Sequence, residues 1–324
     1  MAQSKFVGLS LRTASARMTT SVQTTSASIS TQLAVKELTY HYLQPNNPRL
    51  EELRRRYQNH PATRHSLWSP QYIKTQLQLD KFRADNLYLH QCRSANKNSY
   101  LLTARYVQSV DKLGLLGVLK DDELFGNYLV SFNGLQVSRD LLDSALEINF
   151  LNDHLRIANG KPVILDIGAG YGRLAYRLIQ ALPNVEGVLC TDAIPESTFL
   201  SEFYLRFRGC HSKAEVVPLD QVEARLRKQR IDIAVNVHSF SECTLDSVRW
   251  WLDLITAKRI PFLFIVPNGD ALDTSEANRT HLNYVSLLLT RGYRLIARQP
   301  NYAQSQQVQR YGLYPSHYYL FARN

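Results

Sequence analysis

VILDIGAGYGRLAYRLIQ, residues 163–180, changes its pattern twice within one short stretch. Val163, Ile164, Leu165 and Ile167 suit a strand buried on both faces. Gly168, Gly170 and Gly172 follow at once, and a helical pattern begins behind them. Glycine lets the backbone turn sharply and lets a ligand approach with no Cβ in the way. A strand, a glycine turn and a helix in this order open a parallel α/β sheet. The dinucleotide fingerprint needs GxGxxG or GxGxxA, and position 173 is Arg, so a pyrophosphate-bearing cofactor fits poorly.

Downstream, short apolar strands alternate with helical segments. The spacing predicts strands at 162–167, 187–191, 214–218, 231–237, 261–267, 292–298 and 316–322, and helices at 172–182, 196–207, 220–228, 244–257 and 276–290. The last two strands are joined through QPNYAQSQQVQRYGLYPS, without a helical pattern, which predicts a final antiparallel hairpin at the sheet edge. No internal repeat is present. Upstream, residues 36–155 are mainly helical, with aromatic residues at intervals. SRDLLDSALEINFLNDHL, 138–155, is the clearest helix, with Ser138 as its cap. The expected architecture is therefore a Rossmann-like α/β domain over 156–324, preceded by a helical N-terminal region over 36–155. Its seven-stranded sheet is mostly parallel, with an antiparallel last strand.

Residues 1–35 hold 13 Ser or Thr, no Asp or Glu, and Lys5, Arg12 and Arg17. This segment has too little apolar surface for a core, so it reads as disordered or as an organellar transit peptide. The longest apolar run, Ile260 to Val266, is too short to span a bilayer. Cys92, Cys190, Cys210 and Cys243 are scattered, without CxxC or zinc spacing. A reduced, cytoplasmic setting is expected, or an organellar one if the leader is a targeting signal. No metal site is expected. Net charge is +10, yet the only dense basic cluster is Arg54–Arg56, and a run of this kind is ordinarily a solvated helix face. That argues against nucleic acid as the partner.

The spacing GxGxG, preceded by Asp166, resembles motif I of class I S-adenosylmethionine-dependent methyltransferases. The resemblance implies a cofactor loop of Asp166, Gly168, Gly170, Tyr171 and Gly172. Asp192, 24 residues after Gly168, ends the second strand, where a carboxylate can accept hydrogen bonds from ribose hydroxyls. The resemblance puts an adenine contact at Asp220, which reads equally as a helix cap, and includes Asn236 in the cofactor site. NVHSFSE, 236–242, follows the fourth strand at the switch point where ligands sit in open α/β sheets. It lacks the Asn/Asp-Pro-Pro-aromatic motif of amino-group methylases and suits a hydroxyl acceptor. An imidazole at His238 can take a hydroxyl proton; Glu242 can orient the ring or accept from the acceptor.

FRADNLYLHQ, YVQSVDKLGLLGVL, VSRDLLDSALEINFL, DIGAGYGRLAYRL, NVHSFSE and PFLFIVPN together resemble the sugar O-methyltransferase family over roughly residues 66–324. By that resemblance Arg139, Asp140 and Asp143 line the acceptor or cofactor pocket. His317, at the start of the last strand, is a separate candidate on the acceptor side and the alternative base. The expected function is methyl transfer from S-adenosylmethionine to a sugar or glycan hydroxyl. The rival readings are a lipid or polyketide O-methyltransferase, a nucleic-acid-binding protein on the same fold, and a cofactor-binding pseudoenzyme.

Overall fold

A computed structural model describes residues 37, 39, 41–64, 67–89 and 95–323. The expected leader, 1–35, lies outside the described residues. The chain divides between Pro45 and Asn46, and the architecture is that of the larger unit, Asn46–Asn324.

The centre is a seven-stranded sheet ordered β5-β4-β3-β6-β7-β9-β8. β3 (Val163–Ile167), β4 (Gly187–Thr191), β5 (Ala214–Val216), β6 (Ile233–Val237) and β7 (Phe262–Val266) pair in parallel. β9 (His317–Arg323) inserts antiparallel between β7 and the edge strand β8 (Tyr293–Pro300). Every residue of β3 is buried, as its unbroken apolar run requires. β4 lies on one side of β3 and β6 on the other, so the strand order reverses beside β3 and opens a crevice there.

The expected strands form within a few residues of their predicted bounds. Three local readings differ. The helix expected over 276–290 contracts to α10, Val285–Thr290. The preceding loop is tied by its own backbone, Thr274 N donating to Leu282 O at 3.0 Å and Tyr284 N to Leu272 O at 3.0 Å. The connection read as lacking a helix contains α11, Gln306–Tyr311, capped by Ser305 Oγ and anchored by buried Val308. The third difference is a hairpin inside the region read as helical. It pairs β1 (Val130–Phe132) with β2 (Leu135–Val137) through Asn133 and Gly134, both at positive φ. Asn-Gly between short apolar runs is the usual signature of such a turn.

Among the described residues of this unit, the α-helices before motif I are α1 (Pro48–Tyr57), α2 (Pro70–Gln76), α3 (Lys97–Val110), α4 (Leu115–Val118) and α5 (Arg139–Leu155). Within the α/β alternation come α6 (Arg173–Ala181), α7 (Pro195–Phe207), α8 (Val222–Leu226) and α9 (Leu245–Ala257). α1 carries the basic cluster and docks through its apolar face, with Arg55 exposed and Arg54 and Arg56 half-buried. Leu50, Leu53 and Tyr57 are buried beneath it. Arg49 forks onto Glu202, Arg54 Nε meets Glu196 at 2.9 Å, and Arg56 forks onto Asp220 at 2.9 and 2.8 Å. Glu196 and Glu202 belong to α7. Such half-exposed pairs contribute about 0.2–1 kcal/mol each, so they orient the helix while its apolar face supplies the stability.

α5 starts at Ser138 as expected, with Leu141 N donating to Ser138 Oγ at 3.1 Å. Its charged face is buried too. Asp140 accepts from Arg177 Nε and from Tyr171 Oη, each at 2.9 Å, with Arg83 at 3.4 Å. Arg173 forks onto Glu147 at 2.9 and 3.0 Å, and Arg139 Nε reaches Asp143 at 3.1 Å. Burial alone would raise the Asp140 carboxyl, but Arg177 and Arg83 outweigh it and hold the group well below the usual range. Replacing Asp140 with Ala leaves buried guanidinium groups short of a counter-charge. Urea unfolding should then show a loss of about 3–5 kcal/mol. Glu52→Ala, on the exposed side of α1, should leave the urea midpoint nearly unchanged.

Candidate active site

The crevice beside β3 is a partly enclosed cavity at the C-terminal ends of β3, β4 and β6. Its walls include Asp166, the Gly168–Tyr171 turn, Asp192 with Ile194, and His238 with Glu242. The sequence-predicted residues brought together are thus Asp166, Gly168, Gly170, Tyr171, Asp192, His238 and Glu242.

The glycines are dictated by close approach. Gly168 has φ 72°, and a Cβ there would collide with the Ser239 side chain. Gly170 has φ 57°, and its Cβ would press within 3.2 Å of the Tyr88 ring. The turn is tied to β4 through Gly168 N and Ala169 N, both donating to Thr191 O. Asp192 continues the tie: Oδ2 accepts from Gly170 N at 2.9 Å, and Oδ1 from Ile194 N at 2.8 Å. Burial still pushes the Asp192 carboxyl up to about 7, against the pull of those two amides. Asp166 is likewise pushed up to about 7 by burial, and Arg173 offsets this only in part.

His238 follows β6 with φ 67° and ψ −32°, a conformation costly for a residue with a Cβ and concentrated at functional sites. Its amide donates to Val266 O at 2.6 Å, and its Nδ1 faces Pro267 O at 3.2 Å. A carbonyl can only accept, so Nδ1 carries the proton and Nε2 keeps a lone pair. Burial, then the charges of Arg139 and Arg173, push the imidazole down to about 3, so it is neutral throughout the physiological range. That lies well below the ordinary imidazole value of about 6.5.

Glu242 is linked to the His238 ring through Asn268, whose side chain hydrogen-bonds both. Its Oε2 accepts from Trp68 Nε1 at 2.6 Å and its Oε1 from Asn268 Nδ2 at 3.3 Å. Burial pushes this carboxyl up to about 7.

Other expected site residues lie behind or away from the wall. Tyr171 reaches the cavity but spends its hydroxyl on Asp140. Gly172 packs against Leu205 at the start of α6. Asn236 is fully buried and laces β3 to the turn after β6: Nδ2 donates to Ile167 O and Ser239 Oγ, and Oδ1 accepts from Phe240 N. Arg139, Asp140 and Asp143 belong to the buried ion pairs of α5 rather than to the cavity wall. Asp220 sits in a one-turn 3-10 helix, Leu219–Gln221, held by Arg56. His317 starts β9 opposite Pro300, also off the wall.

Sequence reasoning missed the cover of the cavity. Trp68, Leu87 and Tyr88 close it from the segment 67–89, with Tyr88 Oη 3.2 Å from Ser197 Oγ. Only the intervals of aromatic residues hinted at this, since a non-periodic segment carries no signal for what it covers. Among the described residues, no group of three or more His, Cys, Asp or Glu is arranged to hold a metal ion, and no helix is long and apolar enough to cross a membrane.

No protein-family model matches the chain, and no curated protein matches it. Solved structures do resemble it. TrmK of M. capricolum, in complex with S-adenosyl-homocysteine, aligns at 14% identity and a TM-score of 0.35, over 52% of this chain and 66% of its own. The mitomycin 7-O-methyltransferase MmcR aligns at 17% and 0.38, over 56% and 57%. Magnesium protoporphyrin IX methyltransferase ChlM of Synechocystis PCC 6803, with bound SAM, aligns at 12% and 0.39, over 57% and 83%. Resemblances of this strength assign neither substrate nor reaction. The fold is defined by the strand order itself, a Rossmann-like, mostly parallel seven-stranded sheet with an antiparallel pair at one edge.

The raised carboxyls give a signed expectation for stability. Asp166, Asp192 and Glu242 sit near 7 in the folded chain, whereas ordinary carboxyls titrate near 4. Folding favours their protonated forms, so this contribution is complete below about pH 4 and is lost as pH rises through 7. The urea midpoint of the ligand-free protein should fall between pH 5 and pH 8, and Asp166→Asn should flatten that fall.

Proposed function

We propose that this protein transfers a methyl group from S-adenosylmethionine to a hydroxyl of a sugar or glycan unit. The carrying observation is the pairing of the glycine turn with Asp166 and Asp192, two buried carboxyls facing one cavity and pushed up to about 7 for want of a counter-charge. Arg173, the cation on the same wall, is already committed to Glu147. A ligand carrying positive charge supplies what these carboxyls lack. S-adenosylmethionine carries a sulfonium and an ammonium, and fits on that ground. Asp192 would hold the ribose hydroxyls and Asp166 the ammonium, with the turn Gly168–Gly170 admitting the ligand's close approach. The bound cofactor supplies an electrophilic methyl group.

The chain's own part is positioning, exclusion of water and one proton transfer. Trp68 and Tyr88 cover the cavity, which keeps solvent from the reacting atoms. Neutral His238 offers Nε2 to the acceptor hydroxyl. An imidazole this weakly basic cannot deprotonate an alcohol beforehand. It suffices once the carbon–oxygen bond is forming, because an alkylated hydroxyl is a far stronger acid than imidazolium. As the oxygen gains the methyl, the carbon–sulfur bond would break with its electron pair left on sulfur; the imidazole takes the hydroxyl proton, and water later removes it. The hydroxyl class is supported by the presence of an imidazole where amino-group methylases carry Asn/Asp-Pro-Pro-aromatic. Within the basic cluster Arg54–Arg56, Arg54 pairs with Glu196 and Arg56 with Asp220, which lessens its availability to a polyanion, while Arg55 stays exposed.

Two measurements test this. Calorimetry should detect binding of S-adenosylmethionine and S-adenosylhomocysteine, and Asp192→Ala should weaken both by about 1–3 kcal/mol, the size of a lost charge-assisted hydrogen bond. No heat with either ligand ends the reading. In single-turnover methyl transfer, His238→Ala should cut the rate by about 100-fold or more and leave cofactor affinity within a few-fold. The wild-type rate should show no step attributable to an imidazole between pH 5.5 and 8, about the window in which an ordinary histidine titrates. A wild-type rate in His238→Ala makes the imidazole structural.

A further inference from the structure

A second cavity, of about 510 Å³, opens beside α5. That size suits a small-molecule site. It lies between the C-terminal ends of α3 and α5, the connection from β8 to α11, and β9. Its floor is aromatic, formed by Tyr106, Phe150 and Tyr318. Tyr318 is only 3% exposed, yet its hydroxyl has no hydrogen-bond partner among the described residues. Buried tyrosines ordinarily place that group on a partner, because leaving it bare is costly. The Tyr106 hydroxyl, by contrast, is occupied by Gln304 N at 3.3 Å. On the rim, the side-chain amides of Gln299 and Gln304 are likewise without partners among the described residues. His154 makes only a ring contact, with Phe150 at 4.5 Å.

These groups define the kind of ligand. Lys112 is neutralised by Asp153 at 2.7 Å, which leaves Arg156 as the uncommitted guanidinium on the described rim. A polyanion would need more positive charge, and a lipid tail would need walls without amides. An aromatic floor ringed by a phenol and two amides suits a neutral ring with C–H faces and many hydroxyls. Each amide offers both a donor and an acceptor, as each hydroxyl does. The cavity also stands close to the candidate base. Asn301, on its wall, accepts from Ser316 N at 3.0 Å, and Ser316 Oγ donates to Pro267 O at 2.6 Å. That carbonyl is the one facing His238 Nδ1. We propose that this second cavity is a sugar subsite, holding a glycan unit further along the chain from the one presented to His238. The inference rests on the reading of the acceptor as a glycan. Binding energy gathered at the remote unit then orients the reacting one, which favours oligosaccharides over free monosaccharides.

The test is binding to an array of immobilised glycans, read without cofactor or turnover. The probes run from mono- to hexasaccharides of the common hexoses, deoxyhexoses, pentoses and uronic acids. The wild type should be retained by at least one oligosaccharide series and not by the matching monosaccharide. Tyr318→Phe removes only the unpartnered hydroxyl, so it should weaken that retention about two- to tenfold, the worth of one hydrogen bond. Its urea midpoint should stay level or rise, since no internal bond is lost. Gln299→Ala combined with Gln304→Ala should weaken retention about tenfold or more, whereas His238→Ala should keep it within about threefold. No retention of any glycan, or wild-type retention in both cavity variants, overturns the proposal. So does a loss confined to His238→Ala, which puts the glycan in the first cavity alone. Should Tyr318→Phe fail to fold, the paired glutamine variant still decides. Because the array carries no cofactor, failure to bind S-adenosylmethionine is a separate outcome that ends the methyltransferase reading and leaves the glycan result standing.

Discussion

A carboxylate sealed at the start of α5 is the constraint on which the site depends. Asp140 is 1% exposed, and taking its charge out of water costs several kcal/mol unless its partners are complete. They are drawn from distant parts of the chain: Arg177 from α6, Tyr171 from the glycine turn, and Arg83 from the covering segment. Arg83 in turn takes Asp121 and Asp122, and Arg208 takes Asp122 again. One unmet charge would leave the others uncompensated, so the network behaves as a unit. Through Tyr171 it fixes the turn that shapes the cavity floor. Through Arg83 it fixes the chain that supplies the cavity's cover. Aromatic packing completes the arrangement, with Phe82 stacked on Phe125 and edge-on to Tyr204.

The cavity treats its acids in the opposite way. Asp140 is surrounded by guanidinium groups and stays ionised, whereas Asp166, Asp192 and Glu242 have amide and indole donors or distant charge and hold protons near neutrality. The same residue type thus behaves as a permanent anion in the core and as a titratable wall a few side chains away. Burial is common to both; what differs is the counter-charge. A wall of this kind selects a positively charged ligand without a preformed ion pair to break. Functional sites are where such uncompensated groups concentrate, because the folded chain tolerates their cost only where a ligand later relieves it.

The segment before α5 is more than a helical appendage. α1 docks on α7, and the stretch from Trp68 to Tyr88 lies across the mouth of the sheet's switch point. Trp68 and Tyr88 themselves meet at 5.3 Å between ring centroids. Their polar tips are anchored separately, on Glu242 and Ser197. Apolar faces with tethered tips make a cover that is specific in position yet carries no charge of its own into the cavity.

Sequence alone determined the parts governed by local rules. The buried strands, the glycine turn after β3, the Ser138 cap and the acidic end of β4 each follow from periodicity, from φ restrictions or from a fixed offset along the chain. So does the placement of His238 beyond β6. The Asn133–Gly134 hairpin was legible by the same rules, although it lay in a region dominated by helical spacing. What the tertiary structure decided is the partner of each charge. Arg139, Asp140, Asp143 and Glu147 look alike on a helical wheel whether they face a ligand, solvent or one another. Only the packing of α5 against α6 and Arg83 shows that they face one another. Asp220 and Glu242 are both carboxylates after a strand end. Arg56, 164 residues away, occupies the first, and Trp68, 174 residues away, holds the second at the cavity. Electrostatic environment is a property of neighbours in space, and those neighbours are brought together by the sheet's crossovers rather than by any spacing in the chain.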